Sequence, residues 1–462
     1  MEFGLATRDD DYRGAGGPPF FAKTRLRLPR PPASTKRVAS LLCLGYLVYL
    51  ALNVLGNSGP QSQACGTAAS HEPDALVRGL VEGLPTARFR DNLKNTTKYI
   101  TSWTNAGWTN DVMTLGNMIY MGKITDRVPI MPPFVATEHV EWGSTPLPFG
   151  KVFDIPRFKK DAGIDLLDWH EVKQPDSEEL EDIGCWSVWQ TAHGENKPRD
   201  SFTPSTLKLD ISYTGVPDWT VVGRNDHARF WPLAALAFPE TRKSSLGTPL
   251  PSREHGVSLD PDDHLLCFDF LYYVTAGPEL FEYEHDYSPA WNHVVSKLRF
   301  TPQVEEIARK YIRKTFGLKS NEPIPPYIAL HVRHGDFLRM CGDKTKDECM
   351  TPLSTWAHTV ELVQRELAEK HGISATRVVM TSDEKDPAWW ADVTSLGWVK
   401  MDRTIDEPVE RFSAWHDIIV DAIVQSSAMG LVGTAGSTMS LLAGRRTQDW
   451  HGGVYKLVHS VR

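Results

Sequence analysis

The chain has 462 residues, 41% of them hydrophobic and 23% charged, which is ordinary for a globular body and long enough for more than one packed domain. A formal net charge of -8 lacks the basic surplus of a nucleic-acid binder and leaves room for one local basic pocket that holds a small anion. Its six cysteines, Cys43, Cys65, Cys185, Cys267, Cys341 and Cys349, show no CxxC pair, so zinc and thioredoxin chemistry find no support.

Residues 38–56 (VASLLCLGYLVYLALNVLG) carry no charge. As a helix they would span roughly 28 Å, close to a bilayer core of about 30 Å. Lys23, Arg25, Arg27, Arg30, Lys36 and Arg37 precede the run, and no Lys or Arg follows it before Arg78. The positive-inside rule then predicts a single-pass signal anchor with residues 1–37 in the cytosol and the body in the lumen of the Golgi or endoplasmic reticulum. A cleaved signal peptide or a buried core helix are the competing readings of the same run. Residues 57–87 read as a lumenal stem. Asn95-Thr96-Thr97 is a glycosylation sequon, usable only in the lumen. In an oxidising lumen, Cys341 and Cys349 are the pair closest in sequence and the expected disulfide.

The body is expected to begin near 88. Residues 98–103 (KYITSW) read as a strand, 104–110 as a turn with Gly107, 111–124 as a helix and 128–130 as a second strand. This order makes a βαβ unit with parallel strands. The middle, 135–290, reads as irregular, with 239–262 a long exposed loop. Thr301 and Pro302 signal the start of a helix over 301–316. A second series follows: strand 327–333, helix 356–371, strands 377–381 and 398–401, helix 414–428, strand 430–433, and a helix opening at 437. The expected architecture is α/β, two Rossmann-like domains over 88–300 and 301–462 that face a cleft.

Three segments stand at strand ends of the second series. In His331-Val332-Arg333-His334-Gly335-Asp336 the Arg333 guanidinium suits bidentate pairing with phosphate oxygens, and Asp336 would hold Arg333 or His331. Ser382 and Asp383 follow the 377–381 strand, where a carboxylate can accept from a guanine edge or a sugar hydroxyl, or simply cap the next turn. Gly436-Ser437-Thr438 opens a helix, placing N–H groups, hydroxyls and the helix dipole at an anion site. The early loop Gly107-Trp108-Thr109-Asn110 would face that anion across the cleft. Asp260 and Asp262 fit an Asp-x-Asp metal pattern but lie in a polar loop with no clear strand before them, so no metal ligand is assigned.

The His331-x-Arg333 run with Asp336, the Asp383 strand end, the Gly436-to-Ser440 helix start and the early Gly107-x-x-Asn110 loop together resemble the GDP-fucose protein O-fucosyltransferases. The resemblance implies a GT-B fold, GDP-fucose as donor substrate with no cofactor, a protein or glycan acceptor, and a metal-independent inverting reaction. It implies that Arg333 binds the β-phosphate, His331 and Asp383 the nucleotide, and Ser437 and Thr438 phosphate oxygens, with Asn110 beside the acceptor hydroxyl. Where some members carry a Glu base this chain has Asn110, an amide that takes no proton at neutral pH. Asp111 or the leaving phosphate then remains to receive the proton. A different nucleotide-sugar donor, or a membrane-tethered GDP- or sugar-binding module without turnover, are the alternatives.

Overall fold

The computed structural model describes residues 79–137, 139–221, 227–404 and 413–459. The expected anchor at 38–56 lies outside them, as does most of the stem, and no helix among the described residues is long and apolar enough to cross a membrane. Part of what reads as stem belongs to the folded body: Val81 bridges Leu93 and Thr86 bridges Lys173.

The first half builds a six-stranded parallel sheet from β1 (Tyr99–Ser102), β2 (Val128–Met131), β3 (Leu167–Asp168), β4 (Glu181–Ser187), β5 (Leu209–Gly215) and β6 (Leu265–Phe268). Its order is β3-β2-β1-β6-β4-β5. Four of these strands lie within the segment that reads as irregular. They are short, and β4 (EDIGCWS) and β5 (LDISYTG) carry acidic and hydroxyl residues that mask their periodicity. Cys185 of β4 is disulfide-bonded to Cys267 of β6, a pairing that sequence distance conceals. Cys341–Cys349 also forms, as its spacing suggested. The stretch 239–262 is not all loop, because Pro239–Ser245 is helical.

Helix α1 (Trp108–Thr125) joins β1 to β2 and starts three residues before the expected 111. Nearly all its residues are buried, so it lacks the polar face that would have marked its first turn. Helix α2 (Pro302–Thr315) does begin as its signals indicate, with the Thr301 hydroxyl accepting from Val304 N–H and Pro302 in the first turn.

The second half forms a five-stranded parallel sheet of β7 (Tyr327–Val332), β8 (Arg377–Ser382), β9 (Val399–Lys400), β10 (Gly430–Thr434) and β11 (Val454–Val458), ordered β9-β8-β7-β10-β11. Helices α3 (Leu353–His371), α4 (His416–Ser426) and α5 (Thr438–His451) accompany it. All six residues of β7 are buried, the continuous apolar pattern of a parallel strand covered on both faces. The order reverses between β7 and β10, and such a switch point opens a crevice at the carboxyl ends of the strands. One hydrophobic cluster runs through both halves, from Ile100 and Val112 to Ile419 and Leu441, so the two sheets share a core.

Candidate active site

Register aligns the motifs. Thr381 of β8 and Gly433 of β10 both pair with His331 of β7, so three strands end level at the switch point. The segments beyond them, Arg333, Asp383 and Thr434, therefore meet. Arg333 N–H donates to Thr434 Oγ1 at 2.9 Å, and that hydroxyl donates to the His331 carbonyl at 3.1 Å. Thr434 N–H donates to Ser440 Oγ at 3.0 Å, and Ser440 Oγ lies 2.8 Å from His331 Nδ1. Arg333 is thus latched to the start of α5 through one threonine and one serine.

The Arg333 guanidinium is spoken for on both forks. Its Nη1 pairs with Asp383 Oδ2 and its Nη2 with Asp336 Oδ1, each at 2.8 Å. Asp383 Oδ1 also accepts from His334 N–H at 2.8 Å. A Cβ at Gly335 would collide with the Asp383 carboxylate, so glycine is what allows this close approach. His331 is buried, and burial pulls its pKa down to about 4, with Arg333 adding to the effect. Burial thus favours the neutral ring, whose Nδ1 meets the Ser440 hydroxyl.

At the α5 start, Gly436 turns the chain with a φ of 80° and Ser437 caps the helix by accepting from Ser440 N–H at 3.4 Å. Thr438 reaches across to the first half. Its hydroxyl donates to Asn110 Oδ1 at 2.5 Å and lies 2.7 Å from Thr109 Oγ1. A hydroxyl has one proton, so Thr109 is the donor in the second contact. The N-terminal turns of α1 and α5 consequently meet, and two positive dipole ends favour an anion there.

Two sequence expectations change in detail. Asn110 sits in the first turn of α1, not in a loop, with Gly107 as N-cap. Asp111 was a candidate proton acceptor, but its side chain is fully buried and faces inward. Its Oδ1 accepts from Asn105 and Ala106 N–H at 3.2 and 3.1 Å, and burial raises its pKa well above the carboxylate range. It clamps the loop that carries Gly107. Ser382 likewise shapes a turn, accepting from Glu384 N–H at 3.1 Å.

Asp262 is committed to Arg90 at 2.8 Å and to the N–H groups of His264 and Leu265, which removes it from the Asp-x-Asp pattern. Among the described residues one other group, Asp182, Asp210 and His255, has metal-ligand spacing. It lies at the amino ends of β4 and β5, and Asp210 already accepts from Ser252, Arg253, Glu254 and His255.

Sequence reasoning missed the parts played by four residues. His139, in the irregular middle, lies with its ring nitrogens 2.8 and 3.3 Å from Arg333 Nη2. Thr434 and Ser440 tie Arg333 and His331 to the start of α5. Glu384 binds His334 Nδ1 and Lys346 Nζ, both at 2.6 Å, which staples the disulfide-closed loop 341–349 to the end of β8. Burial opposes ionisation of Glu384, yet Lys346, the Asp386 and Lys385 N–H groups and His334 hold its pKa down to about 2.

Residues 99–448 match the family model "GDP-fucose protein O-fucosyltransferase". The chain belongs to this family. The protein is thus a glycosyltransferase. Similar solved structures include POFUT1 in complex with GDP-fucose, 16% identical over 79% of this chain and 98% of that one, with a TM-score of 0.47. POFUT1 in complex with GDP is 17% identical over 79% and 99%, at 0.46. Fucosyltransferase NodZ from Bradyrhizobium is 12% identical over 75% and 92%, at 0.36. No curated protein matches the chain. Within this transferase the family match runs from β1 through most of α5 and takes in Gly107, Asn110, His331, Arg333, Asp383 and Ser437.

Proposed function

We propose that this transferase moves fucose from GDP-fucose to a hydroxyl of a protein acceptor, with inversion and without a metal. The observation that carries the reading is Arg333 at the switch point, beside the N-terminal turn of α5. In the reaction the acceptor oxygen forms a bond to the anomeric carbon as the bond from that carbon to the phosphate oxygen breaks. The electron pair stays on the diphosphate. Arg333 and the facing starts of α1 and α5 meet the growing negative charge, in the part that a divalent cation fills elsewhere. Preorganised donors act there at low reorganisation cost, because Asp336 and Asp383 already fix the guanidinium. Ser437 and Thr438 hold phosphate oxygens, Gly107 and Asn110 border the acceptor side, and Asp383 and His331 orient the nucleotide. Asn110 is an amide too weakly basic to take the acceptor proton and Asp111 faces inward, so that proton passes to the oxygen of the departing diphosphate.

The same reading places the body in the Golgi or endoplasmic reticulum lumen, tethered by residues 38–56. Two disulfides in the body fit an oxidising compartment. The test is fucose transfer from GDP-fucose with EDTA present. Turnover unchanged by EDTA is expected; a full loss restored by a divalent cation overturns the metal-independent step. Binding of GDP with no turnover on any acceptor would reduce the protein to a sugar-nucleotide binding module.

A further inference from the structure

Residues 230–239 (FWPLAALAFP) hold no polar side chain. They form the helix Phe230–Ala235 and the turn after it, packed on the last turns of α1. Phe230 meets the Tyr120 ring edge to face at 5.0 Å, and Trp231 meets the same ring at 6.3 Å. Phe230, Leu233 and Leu236 are buried, as the inner side of a surface helix requires. The outer side breaks the usual pattern, in which polar residues face water. Trp231 is 58% exposed and Phe238 54%, and Pro232 and Ala235 between them offer water nothing polar.

The place of this face in the fold points to what covers it. Arg127, just past α1, ties the segment to the start of the first sheet. Its Nη2 donates to the Ala237 carbonyl at 3.2 Å, and its Nη1 donates to the Tyr99 and Asp263 carbonyls at 3.2 and 2.9 Å. Tyr99 opens β1, and Asp263 lies just before β6, so the face belongs to the amino ends of these strands. The chain enters the body at that same end. Tyr99 Oη donates to the Leu80 carbonyl at 2.6 Å, and Lys94 Nζ to the Gly79 carbonyl at 3.1 Å. The Gly107 and Asn110 end lies away from it by the length of α1, roughly 27 Å. Between the apolar run 38–56 and the entry point stand residues 57–78 alone.

We propose that the Trp231–Phe238 face docks on the surface of the bilayer that anchors the chain; this rests on the tether by residues 38–56 read above. The tether draws to the bilayer the end of the body at which the chain enters, and the exposed rings stand at that end. Indole and phenyl rings lie favourably at the level of the headgroups, with apolar flanks against the acyl boundary. Lys243, exposed in the next helix, brings a positive charge for lipid phosphates. A tether makes the contact intramolecular, so a small patch suffices where a free protein would need a larger one. Docked by the amino ends of its strands, the body turns their carboxyl ends, and the cleft, away from the bilayer. Its acceptors then come from solution and not from the membrane that holds it.

The chain has no tryptophan before Trp103, so bromine atoms in the acyl chains of a bilayer quench its emission only where the body touches lipid. The test places the full-length protein in phosphatidylcholine nanodiscs and in nanodiscs of the same lipid brominated in its acyl chains. Wild type, Trp231→Phe and Phe238→Ser are compared. Quenching by the brominated lipid is expected in the wild type, falling about threefold in Trp231→Phe, which removes the probe, and about twofold in Phe238→Ser, which weakens the contact. Melting temperature and the thermal shift with GDP should match wild type in both variants. Equal quenching in wild type and Trp231→Phe, or none in any of the three, overturns the docking and leaves the tether standing. Trp231 shielded from aqueous acrylamide without quenching by brominated lipid gives the face to another protein, and also overturns it. Failure of the wild type to co-purify with nanodiscs sinks the tether itself, and the docking with it.

Discussion

Replacing Arg333 with Ala would remove the guanidinium that separates two carboxylates. Asp336 Oδ1 and Asp383 Oδ2 each lie 2.8 Å from it, on opposite forks, so neither has the other's nitrogen to turn to. The variant would present two uncompensated negative charges to an incoming diphosphate. Like charges about 4 Å apart repel by roughly 4 kcal/mol at an effective dielectric near 20. Loss of the donor that meets the developing charge costs a further 3 kcal/mol or so in the transition state, on the order of 10²-fold or more in kcat. Arg333→Lys keeps the charge but reaches one carboxylate, and should retain more activity than Ala while falling about tenfold below wild type. The fold should survive, because the Arg333 N–H to Thr434 bond belongs to the backbone. Steady-state transfer kinetics, with melting temperature as the control, decide the matter. An Ala variant within threefold of wild-type kcat would show that Arg333 stands outside the chemistry.

Thr438→Val should weaken the meeting of α1 and α5, because Asn110 Oδ1 and the Thr109 hydroxyl both lose their partner. The cost is about 1–2 kcal/mol, read as a lower melting temperature with a raised KM for donor; no change in either would deny the contact any role. His331 is held neutral by burial, with its pKa lowered from 6.5 to about 4. As pH falls, the unfolded chain takes up the proton first, so stability from the neutral ring is lost between about 6.5 and about 4, by up to roughly 3 kcal/mol. Asp168, whose pKa burial raises to about 7, titrates across the same window with opposite sign, so the informative quantity is the difference between wild type and His331→Gln. That difference should shrink toward pH 4 in denaturant melts, and a constant difference would contradict the assignment. Asn95 is exposed in the turn closed by Thr97 N–H to the Lys94 carbonyl, at the end of β1 away from the site. Protein made in the secretory pathway should carry an endoglycosidase-sensitive glycan that Asn95→Gln removes and Thr97→Ser keeps. No mobility shift in the wild type would argue against a lumenal body.

The second half was legible because its strands are continuous apolar runs that stop at polar motifs: Tyr327–Val332 before Arg333, and Gly430–Thr434 before the Ser437 cap. Their order could not be read, yet the order is what brings Arg333 and Thr434 together. The first half hid for several reasons. Strand β3 has two residues, β4 and β5 place Asp, Ser and Thr in a buried sheet, and their loops are long. Sequence pattern records burial through apolar periodicity, and buried polar residues held by hydrogen bonds erase that record. Asp111 misled for the same reason, since a carboxylate near a helix start looks exposed until its two backbone donors are seen. His139 left no signal, because its importance lies in a contact 194 residues away.

Binding of nucleotides to the full-length protein and to Arg333→Ala, followed by thermal shift with GDP, UDP and ADP, probes the proposed diphosphate cradle most directly. A shift with GDP that greatly exceeds those with UDP and ADP, and that collapses in the variant, is the expected result. Equal shifts for all three, or a GDP shift untouched by the loss of Arg333, would contradict the assignment of this strand-end guanidinium to the donor.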